Sequence, residues 1–112
     1  MINEVDKLWG KEEWLVNNDK YCCKILYLNK GYQCSLHYHK KKDETFYVLE
    51  GVIELQVDTL RFNLQETDYF RITPNTLHRF KSITDKSKIL EVSTTHYDTD
   101  SYRIENSRKI GG

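Results

Sequence analysis

Two histidines stand one residue apart, at positions 37 and 39, in the stretch GYQCSLHYHKKKDETFYVLEG that runs from Gly31 to Gly51, and a glutamate follows at 44. Along an extended strand alternate side chains leave the same face, so imidazoles at i and i+2 can converge on one ion. Glu44 opens the next apolar run after a short basic turn, which lets its carboxylate return beside them. Two imidazoles and a carboxylate suit zinc, manganese, iron, nickel or copper. A further ligand has to come from elsewhere. The stretch TPNTLHRF offers His78 just beyond a Thr-Pro-Asn turn, where Asn75 tolerates a left-handed backbone. Exposed histidines beside the lysine run 40–42 are the competing explanation of the same letters.

The elements that must position these groups alternate with period two. Strands are predicted over Lys24–Gly31, Cys34–His39, Thr45–Gly51, Val52–Asp58, Arg61–Leu64, Asp68–Thr73, His78–Ile83 and Ile89–Thr94, with turn residues between them. Short strands at this spacing, with no long helical pattern, predict an all-β, antiparallel sandwich or barrel. Ser35, His37 and His39 share one face of their strand; Phe46 and Val48 share one face of the next, with Tyr47 and Leu49 on the other. A strand apolar on both sides needs cover on both sides. The N-terminal LWGKEEW could supply it, but a homodimer is the simpler expectation. The run 40–42 reads as a solvated loop and Arg108–Gly112 as a loose end.

A chain of 112 residues predicts one domain. Lys+Arg and Asp+Glu are 17 each, so no net field points to a nucleic-acid partner. No apolar run has the length of a membrane span, and the first ten residues carry no signal-like core. Three cysteines, Cys22, Cys23 and Cys34, predict reduced thiols in a cytoplasmic protein.

The spacing of Gly31, His37, His39, Glu44 and Gly51 resembles the first cupin motif without a gap. A looser second motif runs from Thr67-Asp68 to His78, with Thr73 and Asn75 at its usual Pro and Gly positions and Ser82 where Asn often follows. The resemblance implies a small single-domain cupin, an antiparallel β-barrel of jelly-roll type. It places an arm at about 1–20, the core at about 21–95 and a tail at about 96–112. It also implies one divalent ion on His37, His39, Glu44 and His78, with zinc first and manganese, iron or nickel as alternatives. The flanks are similar to the type II mannose-6-phosphate isomerase cupins: Trp9-Gly10, Tyr21, Lys24, Ser35-Leu36, Glu91-Val92 and Arg103 match position by position. That implies an aldose–ketose isomerase acting on a carbohydrate, a sugar or sugar phosphate. Two departures stand out: His37 occupies a place where that group commonly has Gln, and Asn106-Ser107-Arg108-Lys109 replaces its closing Asp-Arg-Tyr-Gly-Arg.

Within such a site Lys24 and Glu91 are the expected proton-transfer groups, with Glu54 as an alternative. Arg71 and Arg103 are expected to receive a phosphate or carboxylate. Phe46 and Phe80 are expected to wall the pocket, Trp9 and Trp14 to pack, and His96 to lie on the surface. Two other function classes fit the same ligand set: a metal-dependent dioxygenase, and a non-catalytic sugar-binding or regulatory cupin.

Overall fold

The computed structural model describes residues 3–111. The strands are β1 (Asn3–Lys7), β2 (Gly10–Asn17), β3 (Cys22–Asn29), β4 (Tyr32–Gln33), β5 (Leu36–Tyr38), β6 (Glu44–Glu50), β7 (Val52–Val57), β8 (Leu60–Gln65), β9 (Tyr69–Ile72), β10 (His78–Ser82), β11 (Lys86–Ser93), β12 (Tyr102–Glu105) and β13 (Arg108–Lys109), with one 3-10 turn at Asp98–Asp100. One antiparallel sheet runs β1-β2-β3-β11-β6-β9; the other runs β12-β5-β10-β4-β13, with β7 and β8 attached through β10. The expected all-β jelly-roll class holds, as two facing sheets rather than one closed barrel. No helix among the described residues is long and apolar enough to cross a membrane.

The inward rows of the first sheet change character along their length. Leu26, Ile89 and Val48 lie in one cross-strand row and are fully buried. The next row is Lys24, Glu91 and Phe46, and the row beyond it Cys22, Ser93 and Glu44, all buried as well. One half of the sandwich is therefore an ordinary apolar core, completed from the second sheet by Ile53, Leu55 and Phe80. Each fully buried aliphatic side chain there contributes about 1.5–3 kcal/mol. The other half buries ionisable groups, which only a polar site makes tolerable.

Two differences from the predicted layout matter for the site. The N-terminal segment does not fold back across a sheet; β1 and β2 form a hairpin that extends the first sheet beyond β3, and only Trp9 between them enters the core. The end of the chain is no loose end either. β12 pairs with β5, opposite Tyr38 and His37, and β13 pairs with β4, opposite Gln33 and Tyr32; Gly112 lies outside the described residues. Gly10 makes the hairpin's approach possible, because a Cβ there would sit 1.7 Å from the Tyr27 carbonyl oxygen. Gly51 turns β6 into β7 at φ +80°, in the left-handed region that glycine favours. Asn75 takes a left-handed φ of 65°, as its turn predicts.

Candidate metal centre

His37 lies on β5, His39 just past it, and His78 opens β10, where it pairs directly with His37. Glu44 opens β6 in the opposite sheet. The three imidazoles offer nitrogen atoms within 4.8 Å of one another, an arrangement that can hold a metal ion. Oε2 of Glu44 reaches the same spot from across the sandwich, 3.2 Å from Nε2 of His39 and 3.6 Å from Nε2 of His78.

The hydrogen bonds behind the rings fix what each presents. Nδ1 of His37 lies 2.8 Å from the Ser35 carbonyl, Nδ1 of His78 2.9 Å from that of Thr76, and Nδ1 of His39 3.0 Å from that of Asp100. A carbonyl only accepts, so Nδ1 carries a hydrogen in all three rings, and in a neutral ring Nε2 then keeps a bare lone pair. Burial, and the neighbouring His78 ring, lower His37 to about 3. Burial likewise lowers His78. Both are therefore neutral imidazoles, the form that ligates. Burial pushes the Glu44 carboxyl up, but the His39 ring and the Lys42 ammonium outweigh it and hold Glu44 below the usual carboxylate range. Oε2 of Glu44 and Nε2 of His78 are buried without a hydrogen-bond partner among the described residues. Two acceptors facing each other in this way cost about 1–3 kcal/mol each unless a cation lies between them.

The cluster opens into a cavity of about 470 Å³ walled by both sheets, the N-terminal hairpin and the tail. Lys24 and Glu91 are both on its wall and buried. Nζ of Lys24 lies 3.5 Å from Oε1 of Glu12 and 4.0 Å from the centre of the Trp14 ring, whose Nε1–H donates to the same oxygen at 2.9 Å. Phe80 also lines the cavity, packed edge-on against Trp9 at 5.3 Å and Phe46 at 5.7 Å. Phe46 belongs to the core and does not line the cavity, its ring 6.0 Å from that of His78. Arg103 lies at the rim on β12. Arg71 is elsewhere: its side chain is 65% exposed, paired with Asp43 outside the cavity. Glu54 is also outside, its carboxylate 3.8 Å from Lys81.

Two groups contradict the sequence expectation. Lys42 is no part of a solvated loop; Lys40 and Lys41 are exposed, but Lys42 turns inward and its Nζ lies 2.6 Å from Oε2 of Glu91. Nor is His96 a surface residue: its side chain is 12% exposed, lines the cavity, accepts from Nζ of Lys42 at 3.2 Å and donates from Nε2 to Asp98 at 2.9 Å. Burial, with Lys24 and Lys42 nearby, lowers His96 to about 4. Burial raises the Glu91 carboxyl against the pull of Lys42. For Lys42 burial acts downward, but Glu91 and Glu44 hold its ammonium above the usual lysine value. A short basic run gives no sign that one member is internal, because the partner lies 49 residues away.

A family model described as a cupin domain matches residues 24–93. A protein of Aquifex aeolicus (strain VF5), described as uncharacterized, is 34% identical over 70 residues, which are 62% of this chain and 58% of that protein. Quercetin 2,3-dioxygenase of Bacillus subtilis (strain 168) is 32% identical over 63 residues, 56% of this chain but 19% of the dioxygenase. The chain thus spans less than two thirds of either relative. The structure of KdgF from Halomonas sp. superposes with a TM-score of 0.79 at 16% identity, covering 87% of this chain and 89% of that one, a likeness of fold.

Proposed function

We propose, for a chain that belongs to the cupin domain family, that it binds one divalent ion on His37, His39, Glu44 and His78 and acts on a small carbohydrate, a sugar or sugar phosphate, as an aldose–ketose isomerase. One observation carries the metal reading: Nε2 of His78 and Oε2 of Glu44, both buried, face each other with no hydrogen-bond partner among the described residues. Three imidazole nitrogens and one carboxylate oxygen suit zinc, and equally manganese, iron or nickel. When bound, such an ion polarises the oxygens of a hydroxy-carbonyl compound.

The chain's own groups support proton transfer beside that point. Glu91 is a buried carboxylate on the cavity wall, raised toward neutrality by burial, which suits a group that takes a proton from one carbon and returns it to the next. Lys42 holds Glu91 in place, and Lys24 offers a second buried ammonium on the same wall. Phe80 and Trp9 keep water from one side. Arg103 is the arginine at the rim for an anionic substituent, a role Arg71 cannot fill from outside. The test is to incubate zinc- or manganese-loaded protein with aldose and ketose phosphates in deuterated water and follow them by NMR. Deuterium entering C1 or C2 is expected. Full metal occupancy with no exchange in any sugar or sugar phosphate overturns the isomerase reading, and substrate-dependent oxygen uptake replaces it with a dioxygenase, the chemistry named for the Bacillus relative.

A further inference from the structure

We propose that Asp100, in the C-terminal segment, is a positioning residue for the metal centre and couples docking of that segment to metal binding; this rests on the metal-binding reading above. Asp100 ends the 3-10 turn and is buried. Its carboxylate accepts three consecutive backbone N–H groups: Lys40 at 3.0 Å, Lys41 at 3.2 Å to either oxygen, and Lys42 at 3.0 Å. Its own carbonyl accepts Nδ1–H of His39 at 3.0 Å. Ser101, the next residue, places Oγ 3.4 Å from the same nitrogen.

These contacts meet on the segment that links two of the ligands. Residues 40–43 connect His39 to Glu44, and successive N–H groups pointing one way, here those of 40–42, form a concave anion site. Here the anion is supplied by the chain itself, from 58 to 60 residues away. With the tail docked, the loop has its counter-charge, the His39 ring has its orientation, and Lys42 is turned in against Glu91. With the tail undocked, all three lose their support at once. An ion that needs His39 oriented therefore binds the docked form better, and by linkage its binding strengthens docking. A purely structural role for Asp100 has a different signature: it lowers the stability of metal-free and metal-bound protein equally and leaves affinity alone.

The experiment uses the full chain, stripped with a chelator and titrated with zinc against a chromophoric competitor. Wild type, Asp100→Ala, Asp100→Asn and Glu105→Ala are compared. Asp100→Ala keeps the backbone carbonyl that meets His39 but loses the carboxylate that anchors it, and is expected to bind zinc about 10–100-fold more weakly, the size of effect seen when an outer-shell partner is displaced. Asp100→Asn should fall between, since its amide oxygen still accepts from the loop. Glu105→Ala removes a tail contact to Arg79 (3.1 Å) away from His39, leaves every Asp100 contact in place and should weaken binding far less than Asp100→Ala. Asp100→Ala with wild-type affinity, or Glu105→Ala weakened equally, overturns the proposal. Failure of wild type to bind zinc overturns the metal reading itself, a different result. Should Asp100→Ala not fold, hydrogen exchange on wild type decides: amides of 40–42 and 98–103 must slow on adding zinc, and unchanged rates overturn the coupling.

Discussion

Replacing Lys42 with methionine removes a buried ammonium and keeps most of its stem. Nζ lies 2.6 Å from Oε2 of Glu91, and the two side chains are 3% and 6% exposed, so solvent screens the pair very little. Removing one partner of such a pair leaves a buried charge uncompensated and costs about 3–5 kcal/mol. At about 4 °C of Tm per kcal/mol for a chain of roughly 100 residues, Lys42→Met should melt about 12–20 °C below wild type. The loss has a definite pH dependence. Burial already raises Glu91 in the folded protein, and Lys42 opposes the rise; without Lys42 the folded value goes higher still. A carboxyl raised in the folded state binds its proton more tightly there than in the unfolded chain. Its stabilising contribution is thus full below the ordinary carboxylate range and is lost as pH climbs through the raised value. The deficit of Lys42→Met should therefore be smaller near about pH 5 than near about pH 8. Urea unfolding at both pH values measures it, with Lys42→Met/Glu91→Leu expected to recover most of the loss because the Glu91 charge is no longer left stranded. A single variant within about 0.5 kcal/mol of wild type, a deficit equal at both pH values, or a double variant no better than the single would refute the pairing argument.

Three further outcomes are expected. Glu91→Gln should keep its metal but lose about 10²–10⁴-fold in turnover on whatever substrate the exchange assay identifies, measured as kcat with zinc content in parallel. Gly51→Ala should cost more than about 1 kcal/mol in urea unfolding, because the position has φ +80° and a Cβ would stand 2.5 Å from Oγ1 of Thr84 and 2.6 Å from the Lys86 carbonyl oxygen. Arg71→Ala should leave metal affinity, turnover and melting essentially unchanged, since its pair with Asp43 is exposed and outside the cavity; a clear loss of turnover would return Arg71 to the site.

The candidate cluster was legible through its residue spacing and its resemblance to the cupin motifs. His37 and His39 share a strand face, Glu44 follows after a tight turn, and His78 stands at a turn-bounded strand start, where His37 and His78 each find an Nδ1 acceptor two residues back. The core strands were legible through spacing too, since Leu26, Ile89 and Val48 alternate with half-buried or exposed neighbours. The cavity wall was not. β1, β2 and β12 face it with Val5, Lys7, Glu12, Trp14 and Arg103, so their inward positions carry charge and period two loses its hydrophobic signal. Lys42, His96 and Asp100 were missed because their defining contacts lie far along the chain: Lys42 meets Glu91 at a separation of 49 residues and His96 at 54, and Asp100 meets His39 at 61. Aspartate and lysine in a polar stretch look the same whether solvated or folded inward, and only the pairing of β12 with β5 separates the two.

The central claim is that the four converging side chains hold a metal ion, and calorimetric titration of zinc into chelator-stripped protein tests it most directly. Wild type should bind a single ion per chain, His39→Ala should lose binding, and Glu44→Gln, which keeps the shape but removes the charge at the unpartnered oxygen, should bind more weakly. Wild type that takes up no ion, or binding undiminished in His39→Ala, would contradict the account.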